Sequence, residues 1–202
     1  VKNTEDTRPR AERRDAAINR QRILGAALKL FEQHGVEHVS MNQIAIEAQI
    51  GSGTLYRRYR NKSELCLDLI KDNIDQLFED IGAYLRRHAS DPPRERLRGI
   101  IHLFIRFRER KLQLLRGVEQ SSPLNGAQST TPNPVYDTLH QIFVKLFDEM
   151  ADEHRLEPNS VFRADMLLMA LMSDPYVFQR DVRGYSTDMF VEQLGLTFFP
   201  ER

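Results

Sequence analysis

Between Glu47 and Glu64 the chain carries Arg57, Arg58, Arg60 and Lys62 and not one carboxylate. A guanidinium can bond both acceptors of a guanine edge. The methyl of a threonine such as Thr54 can meet a thymine methyl, and a tyrosine hydroxyl such as that of Tyr56 can reach a phosphate oxygen. These residue types suit a polyanion better than a metal ion or a reaction intermediate. The sequence contains no Glu-x-x-His pair for a di-iron bundle, no His-Glu-x-x-His zinc helix and no phosphate-cradling glycine loop. Its serines and lone cysteine lack a credible general base. We therefore expect no catalytic residue, no metal ligand and no cofactor; an all-helical enzyme or carrier stands as the competing class.

The stretch SMNQIAIEAQIGSGTLYRRY, residues 40–59, predicts the elements that position these side chains. Ser40 can cap a helix, with Gln43 three residues on to complete a capping box. Met41, Ile44, Ala45 and Ala48 then form one apolar stripe. Gln49-Ile50-Gly51 reads as a tight turn, with Gly51 expected to take the positive φ, and Ser52 as the cap of a second helix. In that helix Leu55 and Tyr59 point inward, leaving Gly53, Thr54, Tyr56, Arg57 and Arg58 outward. Asn61 and Glu64 form another cap pattern, which places Lys62 in a helical first turn where it could hold a phosphate or stand as a solvated charge. A helix upstream, with Ile23, Ala26, Ala27, Leu30 and Phe31 on one stripe and Gly35 as its stop, completes a three-helix unit. Two ordinary packed helices can share this pattern. The acid-free outer face favours a helix-turn-helix whose second helix enters the major groove.

Charge is divided along the chain in the same sense. The 202 residues carry 29 Lys and Arg against 29 Asp and Glu. Residues 1–64 hold 12 against 8, net +4, and residues 65–202 hold 17 against 21, net −4. Residues 1–18 read as a basic, flexible arm with Arg8, Arg10, Arg13 and Arg14, either a lead-in or a minor-groove contact. Cys66 is the one cysteine, which rules out an intramolecular disulfide; it reads as a packed small hydrophobe or a redox sensor. The longest apolar run, Met166 to Met172, is too short for a membrane span, and no signal-peptide pattern opens the sequence. A soluble, cytoplasmic protein is expected.

GSGTLYRRYRNKSEL resembles the recognition helix and fourth-helix start of the tetracycline-repressor (TetR) family, and Ile23 to Phe31 with Gly35 resembles its first helix. The likeness is strong over about residues 20–70. It implies an all-α fold: an N-terminal three-helix helix-turn-helix domain (19–64) joined to a larger helical ligand-binding and dimerisation domain (65–202). It further implies phosphate contacts at Ser40, Ser52, Tyr56 and Lys62, and groove contacts at Thr54 and Arg57. Arg58 replaces the aromatic or histidine usual in the family, so its role is open between base edge and backbone. By the same resemblance the source is bacterial.

Beyond residue 61 the chain reads helical almost throughout. We expect a fourth helix to about Arg87, a fifth from Asp91-Pro92-Pro93, a short helix from Arg110 to Arg116 ended by Gly117, and a polar loop over 118–132. A helix then starts at Asn133-Pro134, another near Pro158 is kinked by Pro175, and the last runs from Thr187 to Phe199. Met166, Leu167, Leu168, Met169, Leu171 and Met172, with Phe190, Leu194, Leu196, Phe198 and Phe199, leave the last two helices apolar nearly all round. A homodimer would bury them twice, as the resemblance also implies. Phe104, Phe107, Phe143, Phe147, Met166, Met169 and Tyr176 read either as plain core or, by resemblance, as the lining for a small apolar or amphipathic effector; His102 and His140 could add polar contacts. The function implied is a transcriptional repressor released from a palindromic DNA operator by that effector, with an activator or an effector-independent regulator as the alternative.

Overall fold

The computed structural model describes residues 8–119, 133–151 and 159–200, and every regular element among them is helical. In chain order these are α1 (Arg8–His34), α2 (Met41–Glu47), α3 (Ser52–Arg58), α4 (Lys62–Arg87), α5 (Pro93–Glu119), α6 (Pro134–Met150), α7 (Ser160–Ala170), α8 (Ser173–Val177) and α9 (Thr187–Phe198). A π-helical turn, Phe178–Val182, continues α8. The chain divides into two compact units, Val1–Leu69 and Ile70–Arg202, so the division falls within α4 rather than after residue 64.

In the first unit, Ile23, Ala27 and Phe31 of α1, Ile44 and Ala45 of α2, Leu55 of α3 and Leu65 of α4 are buried together. Cys66 has no exposed surface, and burial pushes its thiol up to about 12, which is the packed hydrophobe and not a sensor. Gly35 ends α1 with φ +79°. Within the segment expected as a flexible arm the chain is helical from Arg8, where α1 begins. Ala11, Ala16 and Ala17 among Arg and Glu are good helix formers, and Pro9 lies in the first turn, where its missing N–H costs nothing. Residues 1–7 lie outside the described residues.

The α2–α3 turn differs from expectation in a second way. The positive φ falls on Gln49, at 54°, while Gly51 is extended at φ −67°. Ile50 N donates to Ala45 O and Gln49 N to Ile46 O, both at 3.0 Å, the paired bonds that close a helix through one left-handed residue. Ser52 does not cap α3 either. The Gly51 carbonyl already accepts from Thr54 N (2.9 Å) and Leu55 N (3.2 Å), which makes Gly51 the cap and Ser52 the first helical residue.

In the second unit α5 is the element that α6, α8 and α9 pack against, and α6 lies along α7. The break expected near Arg110 is present at Lys111, whose backbone is non-helical (φ −125°, ψ 20°), and the helical segment after this kink reaches Glu119 rather than ending at Arg116. Leu115 and Val118 are buried, and their packing keeps the chain helical through Gly117. The loop expected from 118 therefore begins later, and residues 120–132 lie outside the described residues. Pro175 does not kink a helix. The chain breaks ahead of it, at Leu171 and Met172, and Pro175 occupies the first turn of α8, where no N–H is needed. Gly99 of α5 lets Tyr84 of α4 lie directly on its backbone: a Cβ there would stand 2.1 Å from the tyrosine oxygen.

The turn chemistry sets a test of local stability. Relieving the left-handed strain at Gln49 gains about 1–2 kcal/mol, and glycine's extra chain entropy returns about 0.5–1 kcal/mol. Gln49→Gly should therefore raise stability in urea unfolding by up to about 1.5 kcal/mol. Gly51→Ala, extended and with nothing within 4 Å of the new methyl, should lose no more than about 1 kcal/mol, the preference for glycine over alanine at a helix N-cap. A loss of stability in Gln49→Gly would contradict the assignment of the turn.

Candidate nucleic-acid interface

The capping box is formed as its residue types require. Ser40 Oγ accepts from Gln43 N, and Gln43 Oε1 accepts from Ser40 N at 2.8 Å. Asn61 Oδ1 accepts from Glu64 N at 2.9 Å, which starts α4 directly after α3. With both ends fixed, Leu55 has no exposed surface and Tyr59 is 5% exposed, while Ser52, Gly53, Tyr56, Arg57 and Arg58 are exposed and Thr54 is half-buried. The outer face of α3 is thus the one the heptapeptide SGTLYRR predicts.

Thr54, Arg57, Arg58 and Tyr59 border an open groove of about 480 Å³ whose opposite wall is Ala16, Asn19 and Ile23 of α1. Among the described residues no carboxylate pairs with Arg57. Arg58 lies with its guanidinium 5.8 Å from the centre of the Tyr59 ring, which orients it along the same groove. Asn19 was not legible as a site residue, because it sits on a helix whose apolar stripe gives no sign of which polar side faces α3.

One carboxylate ties this surface to its support. Asp68 of α4 accepts from Arg20 Nε (2.9 Å) and Nη2 (2.6 Å) of α1, and from the hydroxyl of Tyr59 at the end of α3. Burial works against ionisation of Asp68, but the hydrogen bonds from Arg20 and Tyr59 outweigh it and hold the carboxyl below its usual range. Burial and the bond to Asp68 push the Tyr59 hydroxyl up, so it stays a donor.

Lys62, expected at a phosphate, is engaged within the unit itself. Its ammonium donates to Val36 O (2.5 Å) and Val39 O (3.0 Å), carbonyls of the α1–α2 connection. Burial lowers its pKa. In this position it braces a loop.

The family described as bacterial regulatory proteins, tetR family, matches residues 23–69. An HTH-type transcriptional regulator of Staphylococcus aureus (strain bovine RF122 / ET3-1) is 32% identical over 179 residues, covering 88% of this chain and 91% of the relative. A second such regulator, from strain USA300, is 32% identical over 191 residues, 91% of this chain and 98% of its own. The chain belongs to the TetR family. It is a helix-turn-helix transcriptional regulator that binds DNA, and its relatives are regulators rather than enzymes. Among solved structures, Thermus thermophilus FadR, a TetR-family repressor in complex with lauroyl-CoA, has the same fold at TM-score 0.64 and 19% identity, covering 91% of this chain and 95% of FadR. AibR in complex with isovaleryl coenzyme A and operator DNA follows at TM-score 0.54 and 19% identity, covering 91% of this chain and 100% of its own.

The residues expected to line an effector pocket of this TetR-family regulator are only partly brought together. Phe104, Phe143 and Phe147 have no exposed surface and Tyr176 is 1% exposed, all packed as core. Tyr176 donates to Glu109 Oε1 at 2.6 Å. Phe107 borders a cleft between α4 and α5; Met166 is half-buried, and Met169 is 40% exposed and faces away from the core. His102 and His140 lie beside Asp188 and Asp165 at 3.9 and 3.1 Å. What sequence reasoning missed is a polar core: Arg108, with no exposed surface, donates to Glu119 Oε1 (3.0 Å), Ser173 Oγ (2.6 Å) and the Tyr136 hydroxyl (2.8 Å). Burial opposes the Arg108 charge, but Tyr136 and Glu119 outweigh it and keep the guanidinium protonated.

The last two helices carry apolar side chains both inward and outward. Leu167, Leu168, Leu171, Met172, Phe190, Leu194 and Phe199 are buried within the chain itself. The exposed apolar side chains there are Val161, Phe162, Met169, Met189 and Leu196.

A pH test follows from Asp68. A carboxyl held below its unfolded value contributes stability that is complete well above about pH 4 and is lost as pH falls through the folded pKa. Asp68→Asn should lower stability by about 1–3 kcal/mol at pH 7, the cost of charge-assisted bonds, and should converge on the unsubstituted protein as pH falls below the folded pKa of Asp68. A deficit that stays constant from pH 7 to pH 3 would show that the charge is not what stabilises the contact.

Proposed function

We propose that this regulator is a repressor that binds a palindromic operator as a homodimer in the bacterial cytoplasm and is released by a small apolar or amphipathic effector. The observation that carries the DNA-reading part is the exposed, acid-free face of α3, with Arg57 unpaired among the described residues. In this reading Thr54, Arg57 and Arg58 meet base edges, while Ser40, Ser52, Gly53 and Tyr56 hold phosphates. Lys62, committed to loop carbonyls, supports the unit from behind. The first unit, Val1–Leu69, is the DNA-binding domain, and the second, Ile70–Arg202, carries effector and dimer surfaces. The effector class has the support that two proteins of the same fold are complexed with acyl-CoA molecules.

A second copy of the chain would cover Val161, Phe162, Met169, Met189 and Leu196, large apolar groups that a monomer leaves in water. α4 runs unbroken from Lys62 to Arg87, supplying Asp68 to the first unit and the cleft residues Asn73, Gln76, Leu77 and Asp80 to the second. An effector acts only through a difference in its affinity for the DNA-competent and DNA-incompetent arrangements, and that helix is the covalent route by which such a difference reaches α3.

The operator is located by footprinting the DNA flanking the gene. On that duplex Arg57→Ala should cost about 1–3 kcal/mol and relax specificity at one position per half-site, with much less loss on random DNA. Lys62→Met should lower thermal stability and leave the salt dependence of operator binding unchanged. Equal losses for Arg57→Ala on operator and random duplex would defeat base reading by this residue.

Assembly is tested by sedimentation. The unsubstituted protein should run as a dimer and Phe162→Glu/Leu196→Glu as a folded monomer with weakened operator affinity. An unsubstituted monomer with full operator affinity would overturn the dimer reading.

A further inference from the structure

α5 places Arg106, Arg110 and Lys111 around a cleft of about 120 Å³, facing Asn73, Gln76 and Asp80 of α4 across a floor of Leu77, Leu103 and Phe107. Three cations thus meet one acid, and Asp80 already accepts from Gln76 Nε2 at 2.9 Å. Among the described residues Arg106, Arg110 and Lys111 take part in no hydrogen bond or ion pair. Their neighbours on the same helix are all committed elsewhere: Arg108 to the buried network and Glu109 to Tyr176 and Thr187.

Arg106 and Arg110 stand four apart on a helix, where like charges repel. The bend at Lys111, a lysine and not a proline or glycine, adds a third charge to the same wall. A surface built for solubility would disperse these charges or pair them with nearby acids. An anion held between the two guanidinium groups removes the repulsion and uses their planar donors. The apolar floor, with Phe107 and Leu77 buried beneath the rim, asks for a hydrocarbon part attached to that anion.

We propose that this cleft binds the phosphate group of a soluble phosphorylated amphiphile, with Arg106, Arg110 and Lys111 on the phosphate and Leu77, Leu103 and Phe107 on the adjoining carbons. The volume is well above the roughly 10–15 Å³ of such space that one water needs, which leaves room for a phosphate and the first carbons of its ester while the remainder lies outside. The regulatory meaning of the site rests on the effector reading above, but the binding itself does not, and it is tested without DNA.

The experiment is calorimetric titration of the full chain with hexyl phosphate, pyrophosphate and hexanol, repeated on Arg106→Gln/Arg110→Gln and on Lys111→Gln. Both variants change solvent-facing side chains, and their melting temperatures check that they fold. Hexyl phosphate should bind one per chain, more tightly than pyrophosphate, and hexanol should give no heat. The double variant should bind hexyl phosphate at least about tenfold more weakly. Hexanol binding as well as hexyl phosphate, or an unchanged affinity in the double variant, overturns the proposal. Flotation with phosphatidic acid vesicles, compared with phosphatidylcholine vesicles, separates the sources of the phosphate: strong binding to the former with no response to soluble hexyl phosphate would make the site a lipid-surface contact and reject the soluble ligand. A double variant that loses operator affinity while binding hexyl phosphate normally would assign the charges to DNA and also reject it. If hexyl phosphate binds as expected yet leaves operator affinity unchanged, the site stands and the effector reading alone fails.

Discussion

The DNA-binding unit depends on a single carboxylate, that of Asp68. α3 is a seven-residue helix, too short to be stable by itself, and it has to be held from outside. Leu55 gives it an apolar anchor, but an anchor of one side chain leaves the helix free to rock. Tyr59, immediately after its last residue, donates to Asp68, and Arg20 locks the same carboxylate with two nitrogens. Three elements, α1, α3 and α4, therefore meet at one charge. That arrangement leaves the outer face of α3 with no duty in the fold, and its residues can be chosen for DNA alone.

The second unit solves a different problem. α5 packs against α6, α8 and α9 and carries Arg106, Arg108, Glu109, Arg110 and Lys111 in close succession, with Arg106, Glu109 and Arg110 exposed and Arg108 fully buried. Arg108 is accommodated by Glu119, Tyr136 and Ser173, while Arg108 Nε has no hydrogen-bond partner among the described residues. A buried ion pair of this kind contributes little net stability compared with an apolar core, while removing one partner is costly. Its effect is to fix the relative positions of α5, α6 and α8. The other cations of the stretch remain on the α4 side, around the cleft.

Much of the first unit was legible because its signals are local. Ser40 with Gln43, Asn61 with Glu64, and the spacing of Leu55 and Tyr59 each concern residues within one or two turns, and the structure forms them as read. What a distant partner decides was not legible. Nothing local to Lys62 reports the carbonyls of Val36 and Val39 that lie beside it. On helices apolar nearly all round, no periodicity tells which residues face the chain's own core, and Leu168 and Leu194 are among those buried within it. Gly51 drew attention as the residue able to take a positive φ, whereas the geometry of the α2 terminus puts that demand on Gln49. The polar network around Arg108 joins residues up to 65 positions apart, and no periodicity reports it.

The central claim is that α3 reads sequence because the Asp68 contact holds it in one orientation. The direct measurement is the ratio of operator to random-duplex affinity, by fluorescence anisotropy at fixed salt, for the unsubstituted protein and for Asp68→Asn and Tyr59→Phe under conditions where both variants are folded. The account predicts that random-duplex affinity, set by exposed cations, stays within about twofold, while the ratio falls at least about tenfold in Asp68→Asn and less in Tyr59→Phe. An unchanged ratio in folded Asp68→Asn would contradict it.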